Sequence, residues 1–129
     1  MNRVILIKYG ELTTKKDNRN FFINKLKNNI FDKLSNYDFE IRDDYYRMFI
    51  FPNEDDIYGI VNILKNIFGI HEIVIAYMDE EVTEEAILKC SLDVMKSQKF
   101  KTFKVVTNRS DKKFPIKSMD MNNIVLLLF

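Results

Sequence analysis

Pro52-Asn53-Glu54-Asp55-Asp56-Ile57-Tyr58-Gly59-Ile60-Val61-Asn62-Ile63-Leu64-Lys65-Asn66-Ile67-Phe68-Gly69-Ile70-His71-Glu72-Ile73-Val74-Ile75 holds two hydrophobic periods in succession. Ile57, Ile60, Val61, Leu64, Ile67 and Phe68 recur every three or four residues, which draws one apolar stripe along a helix. Pro52 ends whatever precedes it, Asn53 or Asp55 can cap the helix, and Gly69 is placed as its stop. From Ile70 to Tyr77, with Ile73-Val74-Ile75 at the centre, the run is β-branched and short, as in a strand.

Upstream, Met48-Phe49-Ile50-Phe51 is another short apolar run, and Phe39-Glu40-Ile41-Arg42 alternates apolar with polar. Asp43-Asp44-Tyr45-Tyr46 between them reads as a turn, so the pair makes a hairpin. Before it, Phe22, Ile23, Leu26, Ile30 and Leu34 share helical spacing, with Asp17 or Asn18 as cap and an end near Ser35. Val4-Ile5-Leu6-Ile7 is continuously apolar and is expected as a central strand buried on both faces. The order strand, helix, strand, strand, helix, strand over residues 3–77 is that of a ferredoxin-like βαββαβ domain in the α+β class.

Downstream the acidic Asp79-Glu80-Glu81-Val82 reads as a linker, which divides the chain into expected domains 1–78 and 79–129. Thr83 caps a helix with Glu84 and Glu85 in its first turn, where the helix dipole favours acids. Ile87, Cys90, Ser91 and Val94 mark its inward face, and Phe103-Lys104-Val105-Val106 is expected as a strand. Ser118-Met119-Asp120 opens a last segment. Its end, residues 124–129, has six apolar residues without cap, stop or polar face, so these residues are expected to lack a cover and the chain to be a fragment.

Charge is unevenly spread. Residues 99–117 hold seven Lys/Arg against one acid, residues 34–98 hold fourteen acids against five bases, and residues 1–33 hold eight bases against three acids. The net +1 therefore conceals two basic ends around an acidic middle. The basic loop Asn108-Arg109-Ser110-Asp111-Lys112-Lys113-Phe114-Pro115 follows the expected strand, and Lys and Arg beside an aromatic and a rigid Pro suit a phosphate backbone. A solvated surface is the competing explanation, and fifteen Lys against five Arg, with sixteen Ile and thirteen Asn, is the usage of AT-rich codons.

Several chemistries have no residues to perform them. Gly10, Gly59 and Gly69 are too far apart to write a phosphate-cradling loop, and no ATP site is expected within these 129 residues. His71 begins an apolar strand and reads as structural, Cys90 as a small core residue. The acids from Asp79 to Glu85 lack metal-ligand spacing, and Tyr45-Tyr46 in a turn is expected to cover a sheet edge rather than stack bases. Neither a catalytic residue nor a metal site is expected. With one cysteine and no apolar run near the roughly 18 residues of a membrane span, the expectation is a cytoplasmic protein with no membrane contact.

Three groups of residues together resemble a known family. Ile7-Lys8-Tyr9-Gly10-Glu11-Leu12 with Asn18-Arg19-Asn20-Phe21-Phe22, then Phe68-Gly69-Ile70, then Phe103-Lys104-Val105 leading into Arg109-Ser110-Asp111-Lys112-Lys113-Phe114-Pro115, are similar to the amino-terminal part of ThiI-type tRNA sulfurtransferases. The resemblance covers nearly the whole chain. It implies a ferredoxin-like domain followed by an incomplete THUMP domain, binding to the acceptor end of tRNA, and RNA contacts from Lys104, Arg109, Lys112, Lys113, Lys117, Lys8 and Arg19. It further implies that 4-thiouridine synthesis, with ATP and with sulfur from a cysteine desulfurase, resides in a later domain; the family is also linked to thiamine synthesis. Thr14-Lys15-Lys16-Asp17-Asn18-Arg19 departs from the family's glycine-containing run at this place, which weakens any role for Lys15 and Lys16. A non-catalytic ferredoxin-like interaction or dimerisation module, its charge incidental, is the alternative that the same pattern leaves open, with a homodimer as its simplest form.

Overall fold

The computed structural model describes residues 2–9, 18–44, 46–99, 102–109 and 113–128. They divide into two compact units, Asn2–Met78 and Asp79–Phe129. In the first, strands β1 (Asn2–Tyr9), β2 (Phe39–Asp43), β3 (Arg47–Pro52) and β4 (Ile70–Met78) alternate with helices α1 (Arg19–Lys33) and α2 (Ile57–Leu64) in the βαββαβ sequence. The sheet order is β2-β3-β1-β4 and every pairing is antiparallel. β1 is central, as its apolar run requires: Ile5 lies opposite Ile50 on one side and Ile75 on the other.

Alternation along the strands sorts the core. Ile5, Ile7, Met48 and Ile50 are fully buried and pack with Ile23, Leu26, Ile30 and Leu34 from the α1 segment and with Ile57, Ile60 and Leu64 from α2. Each such large aliphatic side chain contributes about 1.5–3 kcal/mol of burial, and this interlocked set is what selects one register. Val4 is buried too, whereas Leu6 is only half-buried, so the expected burial of the whole β1 run is uneven.

Helix ends differ from their expected signals. Asn18 occupies the N-cap position of α1, but its side chain makes no capping bond; its carbonyl instead accepts from the Phe22 amide at 3.0 Å. Asn53 likewise makes no side-chain cap and precedes a short 3₁₀ turn, Glu54–Asp56, that feeds α2. α2 stops at Leu64, five residues before Gly69, because its last turn tightens: the Asn66 and Ile67 amides donate to the carbonyls of Ile63 and Leu64 three residues back. The helical spacing is broken there, and Phe68 leaves the stripe and stands 81% exposed. Gly69, at φ 98, supplies the left-handed turn into β4. The hairpin turn is held by Asp44, whose carboxylate accepts from the Tyr46 and Arg47 amides at 2.8 and 2.9 Å. Asp17, Lys15, Lys16 and Tyr45 lie outside the described residues.

The second unit contains helices α3 (Glu84–Lys96) and α4 (Ser118–Leu126). Thr83 does cap α3, its hydroxyl accepting from the Ala86 amide at 3.1 Å. Ile87, Cys90, Ser91 and Val94 are half-buried, while the fully covered residue of α3 is Ala86. Residues 103–106 are not a strand. They run irregularly, because a ladder needs a partner and no strand lies among the described residues of this unit. The apolar end is partly covered, against expectation: residues 124–126 belong to α4, where Val125 is 6% exposed and Met121, one turn before it, 1%; Phe129 lies outside the described residues. Leu126, Leu127 and Leu128 remain exposed. Among the described residues no helix is long and apolar enough to cross a membrane.

Candidate nucleic-acid interface

Burial alternates strictly through residues 104–109. Val105, Thr107 and Arg109 are half-buried, and Lys104, Val106 and Asn108 are exposed. The return leg repeats the pattern, with Phe114 and Ile116 inward and Lys113, Pro115 and Lys117 outward. These half-buried residues line a groove of about 470 Å³ with Ile87, Met121 and Val125, and the exposed Val106 and Asn108 line it as well. Along this segment Lys104, Lys113 and Lys117 are exposed, whereas Arg109 is half-buried and lines the groove.

Arg109 is committed within the protein. Its Nη1 donates to the Phe114 carbonyl at 3.0 Å, closing the basic loop across its base. That acceptor is a backbone atom and carries no sequence signal, so it was not foreseeable; the alternating Val105, Phe114 and Ile116 were the legible trace of the groove. Lys112 lies outside the described residues.

The other two expected contacts, Lys8 and Arg19, belong to the first unit. Lys8 ends β1 and pairs with Glu72 on β4 at 3.5 Å, both half-exposed, so its charge is already partly met. Arg19 opens α1 and lies over the Tyr46 ring, 5.7 Å from its centroid. Tyr46 is 73% exposed, so it does not cover the sheet edge as expected. Nearby, burial and then the charges of Asp43 and Asp44 push the Tyr9 hydroxyl well above its ordinary range, and it donates to the Asp44 carbonyl at 3.3 Å.

Burial, then Asp79 and Asp93, push the Cys90 thiol up, the opposite of an activated nucleophile. No group of three or more His, Cys, Asp or Glu among the described residues could hold a metal ion. His71 is exposed. A Cβ on Gly59 would lie 2.7 Å from Tyr37 Oη, a packing role, and Gly69 serves its turn; Gly10 lies outside the described residues.

Two family models match the chain. A ThiI ferredoxin-like domain matches residues 4–74, more than half of the sequence, and a THUMP domain matches residues 81–127. The chain belongs to the ThiI family. ThiI-type relatives include a probable tRNA sulfurtransferase of Geobacillus kaustophilus, 43% identical over 122 residues, covering 92% of this chain and 30% of the relative. Another from Clostridium perfringens is 38% identical over 130 residues, covering 97% and 32%. The chain thus spans about a third of the length of the curated relatives it matches. Among solved structures, PH1313 from Pyrococcus horikoshii superposes with a TM-score of 0.79 at 27% identity, over 97% of this chain and 43% of that one. A 4-thiouridine synthetase crystallised with RNA and bound ATP gives a TM-score of 0.80 at 23% identity, over 99% and 33%, a likeness of fold.

Proposed function

We propose that this chain is a tRNA-binding portion of a ThiI-type sulfurtransferase, and that Lys104, Lys113 and Lys117, with Lys112 beside them, meet the phosphates of the acceptor end. The observation that carries the reading is the exposure of Lys104, Lys113 and Lys117 along a THUMP-matched segment in which Asp111 is the one acid between Lys99 and Lys117. Lys8 and Arg19 are secondary contacts, each already engaged within its own unit by Glu72 and the Tyr46 ring. In this reading the protein works in the cytoplasm. Thiolation, with ATP and with sulfur from a cysteine desulfurase, belongs to the two thirds of the relatives' length that this chain does not match.

Salt titration tests it. Each phosphate contact released contributes a slope of about −0.9 in log affinity against log salt for a duplex, and about −0.7 for single strands. Binding of unfractionated tRNA to the full chain should therefore be salt-dependent, and Lys104→Ala, Lys113→Ala and Lys117→Ala should each flatten the slope by about one unit with similar loss across tRNAs. A ferredoxin-like interaction or dimerisation module is the second reading, favoured by Phe68, 81% exposed in the first unit. It forecasts concentration-dependent association that salt does not weaken and no tRNA binding at any salt.

A further inference from the structure

Arg109 is half-buried and lines the groove, whereas Lys104, Lys113 and Lys117 are exposed and do not line it. Its guanidinium donates to the carbonyl of Phe114, whose ring also lines the groove, and Lys113 immediately precedes that carbonyl. A planar guanidinium is suited to such a brace, because its fixed fork holds an acceptor with little loss of rotamer freedom. A phosphate contact would ask the same group to turn away from the acceptor it already serves.

We infer that Arg109 is a positioning residue for RNA binding: it fixes the base of the basic loop so that Lys113 and Lys117 are presented in a preset arrangement, and it does not itself neutralise a phosphate. The inference rests on the tRNA reading above. An unbraced loop must be ordered at the moment of binding, which lowers affinity without altering the number of ions released. Charge and geometry are thereby separable.

The experiment measures affinity for unfractionated tRNA against salt for the wild-type chain, Arg109→Lys, Arg109→Gln, Lys113→Ala and the Arg109→Lys/Lys113→Ala double variant. Arg109→Lys keeps the charge and loses the fork; it should bind on the order of tenfold more weakly at an unchanged salt slope. Arg109→Gln keeps an amide donor and loses the charge, and its slope should also be unchanged. Lys113→Ala should flatten the slope by about one unit, and its loss should be smaller in the Arg109→Lys background, since the lysine is no longer held in place. A role confined to fold stability would make the two losses multiply. The inference is overturned if Arg109→Lys binds like wild type, if Arg109→Gln flattens the slope by a unit, or if the losses multiply. Absence of salt-dependent binding by the wild-type chain would overturn the tRNA reading itself, and this inference with it.

Discussion

Gly59 is the third residue of α2, and replacement of a helical glycine by alanine ordinarily stabilises by up to about 1 kcal/mol. Here the new methyl would meet Tyr37: 2.7 Å from Oη, 3.4 Å from Cζ and 3.7 Å from Cε1. The first distance is inside van der Waals contact and the other two are tight or ordinary, so the strain is concentrated on one hydroxyl. Tyr37 is half-buried against the core and its amide is tied to the Leu34 carbonyl at 2.9 Å, which limits how far the ring can retreat. Overpacking of this kind costs about 1–3 kcal/mol. Gly59→Ala should therefore leave stability unchanged or lower it by about 2 kcal/mol, the difference between that strain and the helix gain. In a Tyr37→Phe background the nearest remaining atom is Cζ at 3.4 Å, and the same substitution should stabilise by about 0.5–1 kcal/mol. Urea denaturation of the four proteins gives the coupling directly. Equal effects of Gly59→Ala in both backgrounds would show that the ring swings aside freely and that this glycine is not a packing residue.

Two further outcomes follow from the same geometry. Burial disfavours the Asp44 carboxylate, but the amide bonds from Tyr46 and Arg47 and the Arg47 charge outweigh it and hold its pKa below the usual carboxylate range. Its contribution is thus complete above the unfolded value of about 3.9 and is lost as pH falls through the lower folded value, so the stability difference between wild type and Asp44→Asn, followed by urea midpoint, should narrow only in acid; a difference constant from neutral pH into acid would remove the electrostatic part. Met121→Ala should cost about 2–5 kcal/mol in the unit that holds α3 and α4, seen as lost hydrogen-exchange protection at 84–96, whereas Leu127→Glu, at a position 87% exposed, should leave that protection intact.

The element order of residues 2–78 was legible because its signals are local. Ile5 and Ile7, the helical spacing of Ile23, Leu26 and Ile30, and the stripe Ile57, Ile60 and Leu64 each declare a period, and the pattern closes on itself within one short unit. The Thr83 cap was legible for the same reason, since cap and amide lie three residues apart. Phe68 misled because the tightening of α2 after Leu64 depends on packing and not on spacing. Residues 103–106 misled because β propensity marks a willingness to pair, while a strand exists only where another backbone accepts its hydrogen bonds. Charge behaved in the same way: the seven bases of residues 99–117 could be counted in the sequence, but the exposure of Lys104, Lys113 and Lys117 and the half-burial of Arg109 are tertiary facts, and the bond from Arg109 to the Phe114 carbonyl joins residues five apart through a backbone acceptor that no sequence signal marks.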